Sequence, residues 1–391
     1  MDIFITGYGV ISAIGKNVEE NFNSLIQEKT AIKQGLKNYT SKFKVGEIPF
    51  SNTELKTEFN LKTDGSRTAL LGMVAAKEAF KNHELLENVK TGLISGTSVG
   101  GMDITEVEYK NYLKGENLNY NNYSHHPSGT TSSQIAAELG ITGFVNTIST
   151  ACSSAANAIM MGARLIRSGQ LDRVVVGGTD SLTQFTIYGF RSLMIFDDEW
   201  CKPFDNSRKG LNLGEGAGYI VLESKKSMQN TGKTALAKLT GWSNASDAFH
   251  QTASSPDGDG AILSMNKALN VAGLNPKDIN YINAHGTATP NNDLSESKAF
   301  IKVFDGIVPP FSSTKSYTGH TLAASGGIES VFAILSIQHN MLFPNLNHSS
   351  PIEETGLIPI KRIEKNSEVN HVLSNSFGFG GNNSTLIFSK K

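Results

Sequence analysis

Ser149–Asp172 reads STACSSAANAIMMGARLIRSGQLD, and Ser313–Asn340 reads STKSYTGHTLAASGGIESVFAILSIQHN. Both open on Ser-Thr, pass through small polar residues and enter an apolar run at helical spacing. A second pair echoes in the same way. Gly214–Ser224 (GEGAGYIVLES) and Gly380–Ser389 (GGNNSTLIFS) each lead from glycine into a strand-like run. A duplicated βα unit explains both pairs.

Working outward, short β-rich runs alternate with helical stretches, which argues for α/β layering. Strands are expected at Asp2–Thr6, Thr91–Ser95, Val145–Ser149, Arg173–Gly177 and Gly218–Glu223, with helices at Arg67–Asn82 and Ser153–Arg167. Gly169 suits the end of the second helix. The rhythm resumes with strands at Ala235–Trp242, Tyr281–Ala284, Val308–Ser312, His371–Ser374 and Ser384–Phe388. Between them, polar Ser224–Thr234 reads as a linker or exposed turn, dividing the chain into halves at 1–230 and 231–391. Tyr109–Ser124, rich in Asn and Tyr, reads as a loop: a plain surface segment, or a cap or dimer contact.

Composition narrows the function classes. The 391 residues carry a formal net charge of −1 and 39% hydrophobic residues, so no global field draws the chain to nucleic acid or anionic membrane. The N-terminal MDIFITGYGVISAIG lacks the basic start and unbroken apolar run of a signal peptide. No stretch approaches the ~20 apolar residues of a membrane helix. Cys152 and Cys201 are the two cysteines, too few for a disulfide framework, and a reduced cytoplasmic setting fits.

Four segments carry candidate chemistry. Cys152 stands between a strand-like run and a helix start, where free N–H groups and a partial positive charge stabilise a thiolate. Ser153, Ser154, Ala155 and Ala156 beside it leave room for a bulky acyl group. A buried structural cysteine is the alternative. His285, in YINAHGTATPNND, ends a strand-like run, with Thr287 and Thr289 able to bond a polar ligand. His320 lies in a Ser/Thr/Gly/Ala-rich run, with Lys315 five residues before it and Glu329 nine after. Taken alone, either histidine is more often structural. Asn375–Asn383 (NSFGFGGNN) offers an aromatic glycine turn with accessible N–H groups: an oxyanion donor and gate, or a tight turn with a core aromatic.

Other motifs compete. Gly96–Gly100 (GTSVG) matches a nucleophile elbow, which would make Ser98 a hydrolase nucleophile. The early GYG lacks the third glycine of a dinucleotide fingerprint. No closely spaced metal-ligand pair accompanies the cysteine and histidines, so no metal is expected.

Together these segments resemble the elongating β-ketoacyl-acyl-carrier-protein synthases of the thiolase-like superfamily. The likeness runs through TGYGVISAIG, STACSSAANAI, KPFDNSRKGLNLGEGAGYIVLE, INAHGTATPNND, SSTKSYTGH and NSFGFGGNN, in that order. It implies a five-layered αβαβα fold of two similar halves, and a dimer. It places Cys152 at the nucleophile, His285 and His320 at the paired histidines, and Lys315 at the lysine that accompanies them. Glu329 falls at a supporting acid and Phe379 at the gating phenylalanine.

A Cys-His-His set implies decarboxylative elongation. Initiating synthases use Cys-His-Asn, thiolases add a second cysteine, and Cys201 in DDEWCKPF matches no thiolase motif. The implied substrates ride on the 4′-phosphopantetheine of acyl carrier protein, whose arm Thr287 and Thr289 would contact; the enzyme itself would bind no cofactor. Carrier proteins of this kind are acidic, which makes Lys202, Arg208 and Lys209 docking candidates, with Lys62 and Arg67 as a second group. Arg208 pairing with Asp205 is the competing expectation. A non-catalytic chain-length partner of the same fold is a further alternative, disfavoured by the presence of Cys152. The implied dimer is a homodimer or a heterodimer with such a homologue.

Three departures stand out. Asn382 replaces a threonine in the usual FGGTN. His125 and His126 stand where the family usually lines the acyl pocket, and Asp103 follows SVGGM where small or apolar residues are usual. A polar wall disfavours a plain alkyl chain, so an aryl or polyene acyl substrate is expected.

Overall fold

The computed structural model describes residues 2–37 and 40–391. Ten strands carry the architecture. They are β1 (Ile3–Ser12), β2 (Thr91–Gly96), β3 (Val145–Ile148), β4 (Arg173–Asp180), β5 (Gly216–Ser224), β6 (Ala237–Ser246), β7 (Tyr281–Asn283), β8 (Phe311–Ser312), β9 (His371–Gly378) and β10 (Asn382–Ser389). Their spatial order is β8-β7-β9-β10-β6-β1-β5-β4-β2-β3.

This order is one pattern written twice. In each half the third strand pairs the second, the second the fourth, the fourth the fifth, and the fifth the first. The directions repeat too. β2 is parallel to β3 and β4, as β7 is to β8 and β9. The β4-β5-β1 and β9-β10-β6 runs are antiparallel. The halves join where β1 and β6 pair, Ile3 opposite Leu239.

Helices make the layers. Arg67–Phe80 (α1) lies on β1, β4 and β5, and packs against Ser128–Leu139 (α3). Asp259–Ala272 (α6) lies on β6 and β10, and packs against Pro290–Val303 (α7). Between the sheet halves run Ser154–Arg167 (α4) and Ser325–His339 (α8), which touch strands of both halves and each other. The result is the αβαβα arrangement. Every residue from Ser325 to Ile337 is buried, as a helix packed on all sides requires. These central helices lie within the two matching stretches Ser149–Asp172 and Ser313–Asn340.

Several boundaries differ from expectation. β1 continues through Gly7 and Gly9 to Ser12, because those glycines let α1 approach the strand backbone. A Cβ on Gly9 would stand 2.2 Å from the Ala75 carbonyl oxygen. The Tyr109–Ser124 loop is largely ordered: Met102–Leu113 (α2) takes its start and a 3-10 turn at Tyr120–His125 its end. Ser224–Thr234 contains a short helix, Lys225–Asn230 (α5), whose start the Ser224 hydroxyl caps. β8 is only Phe311–Ser312, so Val308 to Pro310 lie outside it. Among the described residues, no helix is long and apolar enough to cross a membrane.

Gly9→Ala forces its methyl onto the backbone of α1, 2.2 Å from one carbonyl and 2.6 Å from the Ala79 nitrogen. Denaturant unfolding is expected to show a loss of about 1–3 kcal/mol relative to the parent.

Candidate active site

The chain leaves β3 and reaches Cys152 through Ala151, held at φ +51, a left-handed conformation unfavourable for a residue with a Cβ. The Ser154 hydroxyl accepts the Thr150 N–H at 2.9 Å and locks the turn. α4 begins two residues after the cysteine. His320 precedes α8 in the corresponding place of the second half. Its loop is held by Asp180, whose carboxylate accepts the Ala323 N–H at 2.9 Å. His285 follows β7.

These three residues meet. Cys152 Sγ lies 3.1 Å from His320 Nε2, and His320 Nδ1 lies 3.0 Å from Ser325 Oγ. The His285 and His320 rings are 5.4 Å apart and nearly perpendicular, and Phe377 packs on His285. The backbone N–H groups of Cys152 itself and of Phe379 are directed at the sulfur. Phe379 stacks on Phe190 with centroids 5.5 Å apart. One cavity of about 330 Å³ is lined by Cys152, His285, His320, Thr287, Thr289 and Phe379, with Lys209 also on its wall. The Thr287 and Thr289 hydroxyls lie 2.9 Å from each other.

Lys315 and Glu329 are buried together, Nζ to Oε1 2.5 Å. Burial pushes the Glu329 carboxyl up, opposed by the ammonium beside it. Burial also holds both His285 and His320 well below the usual imidazole range, and the Lys315 charge adds to the effect. Both are therefore neutral at neutral pH.

The thiol corrects an expectation. Burial pushes Cys152 up to about 12, although Lys315 and the two backbone N–H groups pull it down. The helix start does not produce a resting thiolate, because desolvation outweighs it. Cys201, buried and likewise pushed up to about 12 by burial, contacts the Lys315 carbonyl through its sulfur at 3.7 Å.

The small residues after Cys152 serve packing, not substrate. Ser153, Ser154, Ala155 and Ala156 are buried and do not line the cavity. Ala156 meets Gly326 of α8, where an added Cβ would stand 3.0 Å from the Ala156 nitrogen.

Asp103, His125 and His126 do not reach the cavity either. Asp103 accepts the Arg67 N–H at 2.9 Å, His125 Nδ1 lies 3.0 Å from Gln134 Nε2, and His126 Nδ1 lies 3.0 Å from Thr105 Oγ1. The expected polar acyl wall is thus absent from this chain's own cavity. Arg67 is only 2% exposed and ion-pairs Glu215 at 2.6 Å, which burial removes from any docking surface. Arg208 donates to the carbonyls of Asp205, Thr289 and Pro290 and so braces the His285 loop. The Asp205 carboxylate instead accepts from Ser207, Ser349 and Ser350. Lys62 and Lys209 are exposed, and half-buried Lys202 lies 3.5 Å from Ser207. Ser98 hydrogen-bonds the Asp180 carboxylate at 2.5 Å rather than a histidine, which removes the hydrolase reading.

Two supports escaped the sequence reading. Glu296 accepts the His285 and Gly286 N–H groups at 2.9 and 2.8 Å, and Asp293 accepts those of Ala288 and Phe204. Their signal was present: two carboxylates three residues apart at the start of a helix that follows a histidine turn. Ser325, behind His320, had no comparable signal. Among the described residues, no group of three or more His, Cys, Asp or Glu is placed to hold a metal ion.

A buried thiol, two neutral imidazoles and paired N–H donors thus meet in one cavity of a duplicated αβαβα frame. Residues 1–227 match the beta-ketoacyl synthase N-terminal domain and residues 236–349 the C-terminal domain. A 3-oxoacyl-[acyl-carrier-protein] synthase 2 of Staphylococcus aureus (strain COL) is 34% identical over 406 residues, covering 99% of this chain and 98% of that protein. A putative mitochondrial 3-oxoacyl-[acyl-carrier-protein] synthase of Schizosaccharomyces pombe is 32% identical, covering 99% of each. Among solved structures, the ishigamide ketosynthase/chain length factor superposes with a TM-score of 0.93 at 27% identity, covering 100% of this chain and 99% of that one. The ketosynthase ApeO, in complex with its chain length factor ApeC from Xenorhabdus doucetiae, does so with a TM-score of 0.88 at 31% identity, covering 100% and 98%. The chain belongs to the β-ketoacyl synthase family, and it is an acyltransferase.

The histidines also set a pH dependence. Their folded pKa values are lowered from 6.5, so below that pH the unfolded chain binds protons that the folded one does not. Their contribution to stability is present above about pH 6.5 and is lost as pH falls. Glu296, pushed up to about 7 by burial, acts oppositely: its contribution is present below 4.5 and is lost as pH rises through about 7. His320→Asn removes one histidine term. Its unfolding free energy is expected to fall less than the parent's between about pH 7 and 5.5, by up to ~1.4 kcal/mol per pH unit.

Proposed function

We propose that the chain performs decarboxylative condensation, taking an acyl group from acyl carrier protein onto Cys152 and extending it with a malonyl unit held on a second carrier. The observation that carries this reading is the buried Cys152 thiol 3.1 Å from the neutral His320 imidazole, with the Cys152 and Phe379 N–H groups converging on the sulfur.

In the first half-reaction the thiol attacks the acyl thioester as its proton passes to His320 Nε2. The oxyanion is held by the two N–H groups, where one such donor is typically worth about 3 kcal/mol. Collapse expels the carrier thiolate, which takes the proton back. In the second half-reaction His285 and His320 donate Nε2–H bonds to the malonyl thioester carbonyl. The bond to the carboxylate breaks, carbon dioxide leaves, and the enolate carbon attacks the Cys152 thioester. The Cys152 thiolate departs and takes up a proton from solvent, the one proton the decarboxylation consumes.

His320 must accept at Nε2 in the first half and donate there in the second. A hydroxyl at Nδ1 suits both, because Ser325 Oγ can either accept or donate a proton. Lys315 disfavours a charge on either ring, which keeps both available as neutral donors. Thr287 and Thr289 contact the phosphopantetheine arm along the cavity wall. Lys209 at the cavity, with Lys202 and Lys62, offers positive charge to an acidic carrier.

The assembly is a dimer of this chain, or a heterodimer with a chain-length-factor-like homologue such as the one that accompanies ApeO. Its place is the cytoplasm, consistent with two free cysteines.

Intact-mass measurement after incubation with acyl-carrier thioesters is expected to show one acyl adduct, mapped to Cys152. Cys152→Ala should load nothing and lose condensation by at least ~10³-fold. Undiminished product from that variant overturns the reading. Absence of loading by the parent favours the non-catalytic chain-length role. Lys209→Glu should raise KM for the carrier substrate, more at low salt than at high.

A further inference from the structure

The two oxyanion donors come from different halves of the molecule. The Cys152 N–H belongs to the turn before α4, and the Phe379 N–H to the glycine turn between β9 and β10. Their spacing depends on whatever ties those turns together. Asn382, the first residue of β10, lies three residues after Phe379. Its Oδ1 faces three donor groups: Ser153 Oγ at 2.7 Å, whose single proton is shared with the Thr150 carbonyl oxygen at 2.7 Å, Asn157 Nδ2 at 2.9 Å and Asn244 Nδ2 at 2.7 Å. Ser153 directly follows Cys152, Asn157 is one turn into α4, and Asn244 is on β6. Asn157 Oδ1 in turn accepts from Ser384 at 2.8 Å. The turns are already in contact, since a Cβ on Gly378 would stand 2.7 Å from the Thr150 carbonyl oxygen and 3.3 Å from the Cys152 nitrogen. Contact alone does not set register; directional hydrogen bonds do.

We propose that Asn382 is a positioning residue, whose side-chain oxygen fixes the spacing of the Cys152 and Phe379 N–H groups through Ser153 and Asn157. It acts through these residues and touches neither substrate nor sulfur. This rests on the condensing-enzyme reading above and goes beyond it: oxyanion stabilisation is assigned to a clamp behind the nucleophile as well as to the donors themselves. The residue type matters. An amide oxygen offers acceptor positions to several donors at once, whereas an apolar replacement would leave Ser153, Asn157 and Asn244 competing for fewer acceptors.

A structural role and a positioning role separate experimentally. Acyl transfer builds an oxyanion; alkylation of Cys152 by iodoacetamide is a displacement at carbon and builds none. Asn382→Ala and Ser153→Ala are each expected to lower kcat for acyl transfer by roughly tenfold to a hundredfold, the range a misplaced reacting group produces. KM should stay at the parental value, and the unfolding midpoint and the alkylation rate should fall much less than kcat, since the two N–H groups also favour the thiolate but meet no oxyanion in alkylation. The double variant should be no slower than the worse single one, because both act through one link. Asn382→Asp keeps an acceptor oxygen and should recover part of the rate. Equal loss of transfer and alkylation overturns the proposal, as does a parental transfer rate in Asn382→Ala. So does loss of fold in both alanine variants, since the link is then structural. Alkylation mapped to Cys152 without any acyl loading of the parent protein would instead mark failure of the condensing-enzyme reading.

Discussion

The 3.1 Å contact between Cys152 Sγ and His320 Nε2 is the point on which the rest of the structure converges. Each atom precedes one of the two central helices, and those helices occupy equivalent places in the repeated strand order. The repeat thus brings two helix starts to one place from opposite halves. Duplication explains why residues 168 positions apart meet without a dedicated connection. It also explains the crowding of small residues on both sides. Ala156 faces Gly326 of α8 and Ala155 faces Gly178 of β4, so a larger side chain would push α4 off its partner helix or off the strand.

Burial then determines the chemistry. A thiol pushed up to about 12 and two imidazoles pushed down make a site whose resting members are neutral, with its one buried ion pair, Lys315–Glu329, set behind them. In such a medium of low dielectric, fixed N–H donors interact with any charge that develops more strongly than they would in water. Sequence reading favoured a thiolate stabilised by the helix start. That term exists, but it is smaller than the cost of a buried negative charge.

Much of the fold was legible because it was written twice. The strand-like runs, the two Ser-Thr helix entries and the glycine-led closing strands are local patterns, and local patterns survive in sequence. The gathering of Cys152, His285 and His320 followed from resemblance, since no spacing in the chain foretells which of nine histidines will face a cysteine. What misled was side-chain direction. Arg67 looked like surface charge and is a buried partner of Glu215. His125, His126 and Asp103 looked like pocket wall and are engaged with Gln134, Thr105 and the Arg67 backbone. His125 and Gln134 are nine positions apart, and the other contacts join residues 21 to 148 positions apart.

The backbone supports the same logic. Ala151, Ala288 and Leu322 all have positive φ, and each lies within three residues of a site side chain. None is glycine, so each conformation costs about 1–3 kcal/mol that surrounding bonds must offset. The bonds are visible: Ser154 to Thr150, Asp293 to Ala288, and Asp180 to Ala323. In the latter two a buried carboxylate holds a turn by accepting backbone N–H groups. The carboxylates therefore have a role that charge alone would not suggest. They keep two unfavourable turns, as the Ser154 hydroxyl keeps the third, aimed at one cavity, and the side chains those turns carry can then remain neutral.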